Sequence, residues 1–157
     1  MALGWKLVID AADPHRLAAF WATALEYEVE DHSALIEQLL GAGVVDESLC
    51  ARRGDRQVWR DYAGVRHPDD PYDARSGAGL GRRLLFQRVP EAAGWTAEGR
   101  ERPKTPLHLD VHAGPGRRAE MVTLLLERGA SFIREVKEPQ GEWSVLKDPE
   151  GNVFCVA

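Results

Sequence analysis

The chain has 157 residues, of which 44% are hydrophobic and 29% charged, so it is long enough for one domain of ordinary size and too apolar for a disordered tail. Its 20 Lys+Arg against 25 Asp+Glu give a formal charge of -5, which supplies no general field for phosphate backbones or anionic lipid headgroups, so no nucleic-acid or membrane partner is expected. The longest nearly apolar stretch, Leu17 to Leu25, falls far short of the roughly 20 residues that cross a bilayer.

The N-terminal residues show no basic region followed by a long apolar run, so the expected setting is cytoplasmic. Cys50 and Cys155 stand in no metal or redox spacing, and both are expected as reduced thiols.

Trp5 to Ala11 alternates Leu7, Ile9 and Ala11 with Lys6, Val8 and Asp10, the period of two that marks a strand with two unlike faces. Asp13 and Pro14 then form an N-cap and first helical position, which predicts a helix to about Tyr27. Leu17, Phe20, Trp21, Ala24 and Leu25 make its core stripe, each burial yielding about 1.5 to 3 kcal/mol for the larger side chains. Residues 31 to 79 read as material added to this first unit. Ser33 to Gly41 has the spacing of a short helix with Ser33 as its cap and Gly41 to Gly43 as its stop, while Arg56 to Val65 and the turn-rich His67 to Asp73 are compact without a decisive pattern and together read as lid or edge material. Gly77-Ala-Gly79-Leu-Gly81 precedes a strand rather than a helix, which argues against a phosphate loop. His15, His32 and His67 have no ligand spacing, and the arginine pairs 52–53, 82–83 and 117–118 read as solvated surface. Arg83 to Val89 alternates as a strand, and residues 91 to 106 form the expected linker.

The order then repeats. Leu107, Leu109 and Val111 alternate with His108, Asp110 and His112, a Gly-Pro-Gly turn follows, and a helix is predicted from Arg117 to Arg128 with Gly129 as its stop. Three strands should close the chain, Ser131 to Lys137, Glu142 to Leu146 and Asn152 to Ala157, the last two joined by the turn Asp148-Pro-Glu-Gly151. The doubled order implies an α+β fold of two paired β-α-β-β-β modules in a single domain over 1–157: module 1 at about 1–90 with its insertion, and module 2 at about 107–157.

With Leu7-Val-Ile-Asp-Ala-Ala-Asp-Pro14, Leu17-Ala-Ala-Phe-Trp21, Arg83-Leu-Leu-Phe-Gln-Arg-Val-Pro90, Leu107-His-Leu-Asp-Val111 and Leu146-Lys-Asp-Pro-Glu-Gly-Asn-Val-Phe-Cys155, the chain resembles the vicinal oxygen chelate superfamily. This is the group of glyoxalases, bleomycin-resistance proteins and extradiol dioxygenases. The resemblance implies curled mixed sheets around a cavity, helices outside, a small organic ligand within, and commonly a homodimer. Where the family uses a metal it draws His and Glu ligands from the first and last strands of its modules. His108 matches one such position, and the same offset of seven residues from the helix turn lands on Lys6 in the first module. The strand-end positions match Gln87 and Cys155. A protonated lysine and a carboxamide leave two donors at most, so the expectation is no metal at that place and no cofactor.

Alternation puts Lys6, Gln87, His108 and Cys155 on the cavity side, with Trp143 as a stacking surface; these five are the expected ligand-binding residues. His108 near Asp110 is the expected catalytic pair if the protein is a lyase or isomerase, because imidazole titrates near neutral pH. Cys155 could serve as a nucleophile only if His108 lowered its pKa. Three functions stay open: a metal-independent small-molecule binder that sequesters an antibiotic or metabolite, an enzyme using His108 as acid and base, and a noncatalytic interaction module built on Trp59 and Tyr62.

Overall fold

A computed structural model describes residues 6–90, 108–114, 116–138 and 141–157. The linker read at 91–106 lies outside them. In chain order the first module runs β1 (Leu7–Ala11), α1 (Pro14–Leu25), β2 (Glu28–Val29), α2 (Ser33–Gly41), a 3-10 turn (Glu47–Leu49), β3 (Cys50–Arg53), β4 (Arg56–Trp59), β5 (Tyr62–Arg66) and β6 (Arg83–Arg88). The second runs β7 (Leu109–Val111), α3 (Arg118–Glu127), β8 (Ser131–Glu138), β9 (Gly141–Lys147) and β10 (Val153–Val156).

The two sheets have the same plan. The first has strand order β1-β6-β5-β2 and the second β7-β10-β9-β8, each with one parallel pair, β1 with β6 and β7 with β10, beside antiparallel neighbours. Alternation sets which face is covered: Ala11, Ala63, Val65, Leu84 and Phe86 turn to α1 and are buried, while Val8 and Asp10 on the opposite face are exposed. The expected helix stripe packs there, with Leu17, Phe20, Trp21 and Ala24 almost wholly buried. Asp13 caps α1 by accepting the N–H groups of His15 and Arg16, both at 3.1 Å.

Both modules share one core, which runs from Trp21 through Phe20 to Phe154 in edge-to-face contacts of 5.1 to 5.9 Å and on to Val111, Met121 and Leu125. Three polar bonds tie the halves at the closing turn. Trp21 Nε1–H donates to Asp148 Oδ2 at 3.1 Å, and the Glu150 carboxylate accepts the N–H groups of Ala12 and Asp13 at 2.8 Å each. The turn read as a local feature therefore also fastens the modules together.

The segment expected as added material departs from that reading. Tyr62–Arg66 is an inner strand of the first sheet, paired on one side with β6 and on the other with β2. Its burial on both faces hides the alternation by which strands are recognised: Ala63, Gly64 and Val65 are consecutive and all buried. Among the described elements only α2, the 3-10 turn and the β3–β4 hairpin stand outside the repeated plan, and the β4 end of the hairpin packs against α2.

Candidate functional site

Two adjoining clefts open where α2 and the hairpin stand beside the first sheet. One of about 420 Å³ is lined by Leu35, Leu49, Trp59, Tyr62 and Leu85, with His32, Asp61, Ser76 and Arg83 among them. The other, of about 310 Å³, shares His32, Trp59 and Tyr62 and continues to His15, Arg53 and Arg56. Strand register explains the first wall. Tyr62 lies opposite Gln87 and Gly64 opposite Leu85, so Tyr62, Leu85 and Gln87 occupy the face of the sheet away from α1. Apolar walls with few polar groups are the usual make-up of a small-molecule site.

Under this cleft lies a buried charge cluster. Glu30 follows β2, and its side chain is fully buried over the backbone of Gly64, where a Cβ would sit 2.0 Å from the carboxylate oxygen. Only glycine leaves room for it. Arg83 Nε–H and Nη2–H donate to the two carboxylate oxygens at 2.6 and 2.7 Å, Gly79 N–H donates at 2.7 Å, and His32 Nε2 stands 3.3 Å away. His32 Nδ1 bonds the carbonyl of Ser76. Burial alone would raise the Glu30 pKa, but the bonds from His32, Arg83 and Gly79 outweigh it and hold the carboxyl down at about 2. Burial works against charge on His32 too, yet the Glu30 and Ser76 acceptors win and raise its pKa.

This overturns the reading of Arg83 as solvated surface, since its side chain is only 13% exposed, while Arg82 beside it is exposed as expected; His32, which has no ligand spacing in the sequence, is equally buried. Four chain segments converge on one carboxylate, a proximity that residue spacing does not record. His15 is likewise engaged, with Nε2 2.7 Å from the carbonyl of Trp59, and burial lowers its pKa.

The second module holds the predicted pair. His108 and Asp110 are two residues apart at the start of β7 and therefore share a face, with Nε2 3.3 Å from Oδ1 and both side chains more than half exposed. Cys155 on β10 lies directly opposite Asp110, and the next strand places Val145 opposite Cys155, so Trp143 stands on that same face two residues along β9. Burial, the charge of Asp110 and a bond to it push the Cys155 thiol up, against a weaker pull from Arg134. The thiol is thus protonated at neutral pH, contrary to what a nucleophile requires. Lys6 is exposed just ahead of β1, and Gln87 is half-buried on β6 opposite Asp10 and Tyr62.

His108, Asp110 and Cys155 offer donor atoms within 4.8 Å of one another. Asp110 is a donor that matching strand ends alone did not bring in. The first-module positions remain an ammonium and a carboxamide, Lys6 and Gln87, so the four-position seat drawn from both modules does not fit a divalent ion.

Two repeated β-α-β-β-β units, with helices outside and sheets that do not close into a barrel, define the vicinal oxygen chelate class of fold. A family model described as a glyoxalase-like domain matches residues 6–157, and the chain belongs to that family. Among solved structures it is similar to a hypothetical protein from S. aureus, at 9% identity and a TM-score of 0.58, covering 99% of this chain and 93% of the other. It is similar also to a glyoxalase/bleomycin resistance protein/dioxygenase family enzyme from Burkholderia phytofirmans PsJN, at 15% identity and TM-score 0.56, with 96% and 94% covered. A fosfomycin resistance protein from Mesorhizobium loti aligns at 9% identity and TM-score 0.56, with 99% and 91% covered. At these identities the likeness is one of fold. No curated protein matches the chain. Among the described residues no helix is long and apolar enough to cross a membrane.

Proposed function

We propose that the protein binds a small organic molecule in the cleft between α2, the β3–β4 hairpin and the first sheet, and sequesters it without the divalent ion used elsewhere in its family. The observation that carries this reading is the cleft itself, about 420 Å³ with Trp59, Tyr62, Leu35 and Leu85 in its walls and charged groups at its floor. An antibiotic or a metabolite has the right scale for such a space. The expected homodimer belongs to the same proposal and is checked by light scattering in solution.

A thermal-shift screen of small organic compounds tests the reading, because a ligand that binds only the native state raises its stability. Hits should vanish in Leu85→Trp, which fills the cleft, and persist in His108→Ala. Hits lost in His108→Ala and kept in Leu85→Trp would move the site to the second module.

A second reading rests on the 3.3 Å approach of His108 to Asp110. An imidazole oriented by a carboxylate could move a proton to and from a carbon acid, as a lyase or isomerase requires. Deuterium uptake from D₂O into a screened carbonyl compound, abolished by His108→Ala, would favour that enzyme over sequestration. The interaction-module reading needs Trp59 and Tyr62 as a partner surface, and their place in the cleft wall argues for a small ligand instead.

A further inference from the structure

The cleft has a charge that its walls do not balance. Glu30 is one carboxylate facing two cations, since Arg83 grips it with two bonds and His32 stands 3.3 Å away. Both ring nitrogens of His32 face acceptors, the Glu30 carboxylate and the Ser76 carbonyl, and only an imidazolium donates to both. Gly79 N–H occupies a further site on the same carboxylate. The cluster therefore holds one positive charge in excess. Asp61, the other acid in the wall, does not discharge it: Arg60 bonds it at 3.2 and 3.1 Å, and Arg88 stands 3.6 Å away.

Arg83 also has donors to spare. Its Nε and Nη2 serve Glu30, while Nη1 has no partner among the described residues. No wholly buried side-chain nitrogen there lacks a partner, so Nη1 is not wholly buried, and Arg83 is one of the residues that line the cleft. A guanidinium edge in an apolar, aromatic-walled space is suited to an acid group attached to a flat apolar body.

We infer that the cleft selects a small organic carboxylate, its acid group seated on the free edge of Arg83 and its planar body against Trp59 and Tyr62. This rests on the cleft being the binding site, as proposed above.

The test uses three probes of one shape, 2-naphthoate, 2-naphthamide and 2-naphthylmethylammonium, titrated calorimetrically into the full chain. Naphthoate should bind about tenfold more tightly than the amide, the scale of one charge-assisted hydrogen bond, and the ammonium most weakly. An amide or ammonium that binds as well as the acid overturns the inference and leaves the cleft reading standing. If none of the three binds, both fall. Leu85→Trp should abolish naphthoate binding; retention would put the acid elsewhere and overturn the inference. In the double variant Glu30→Gln with Arg83→Gln, the acid-to-amide preference should drop to about one, and its persistence would count against Arg83. Should that variant not fold, the wild-type ratio and Leu85→Trp decide the matter between them.

Discussion

Glu30 shows why a single buried carboxylate can organise a site. Desolvation makes an isolated buried charge costly, so its partners must hold it, and here they come from β6, from Gly79 in the segment between β5 and β6, and from the start of α2. The linkage has two limbs. Glu30 has a folded pKa depressed from 4.5 to about 2, so its stabilising effect is complete above 4.5 and is lost as pH falls toward 2, about 3 kcal/mol in all. His32 has a raised folded pKa, so its contribution is complete below its unfolded value of 6.5 and is lost as pH rises through the raised one. Urea midpoints of wild type and His32→Gln should accordingly differ most near pH 5 to 6 and converge as pH rises; a gap that widens above neutrality would refute the imidazolium assignment. Gly64→Ala tests the packing. Its Cβ meets an oxygen that cannot swing away without leaving Arg83 and His32, so the expected cost is about 3–5 kcal/mol, like breaking a buried pair. In a Glu30→Ala background the same change should cost below about 1 kcal/mol, because the clash is gone. None of this was legible in the sequence, where Glu30 is one acid in a polar run and the strand that holds Gly64 shows no alternation to mark it as one.

At the scale of elements, the readable parts were those with one clean period. The first β-α start was legible from alternation followed by a cap, Leu7–Ala11 and Asp13-Pro14, the second from alternation followed by a Gly-Pro-Gly turn, and α2 was legible from its spacing, though His32 rather than Ser33 stands at its N-cap. The unreadable parts lacked a period: β2 is two residues long, and β5 is buried on both faces. The β3–β4 hairpin turns at Gly54-Asp55, where Gly54 has φ +62, so the turn signal existed but the short flanking strands did not confirm it. A different dependence joins elements far apart in the chain. The first helix has its entry N–H groups, those of Ala12 and Asp13, satisfied by Glu150 of the last turn. Glu150→Ala should cost about 2–3 kcal/mol, since two charge-assisted bonds vanish in a protected spot, while Glu150→Gln retains one acceptor and should cost less. Chemical denaturation of the two variants ranks them; equal and negligible losses would mean that water replaces the carboxylate.

For the whole molecule, the repeated order of elements carried the fold, whereas the cleft came from a convergence of first-module segments, α2 and the β3–β4 hairpin among them, that the repeated plan lacks. The seat expected between modules remains a matter of chemistry at four positions. His108 and Cys155 belong to the second sheet, and Lys6 and Gln87 to the first, so a site drawn from all four exists only if the inner faces of the two sheets look into one space. Substituting donors in the first module turns that requirement into a measurement. Lys6→His with Gln87→Glu removes the repelling ammonium and adds an imidazole and a carboxylate to the His108, Asp110 and Cys155 group. If the faces converge, zinc affinity should rise by more than about a hundredfold, beyond what even outer-shell partners alter, and binding should release the Cys155 proton as the thiolate forms. Proton release measured calorimetrically in two buffers reports that event without any assay of turnover. An affinity unchanged from the wild type would mean that the four side chains do not meet, and that the first-module cleft works apart from the second sheet.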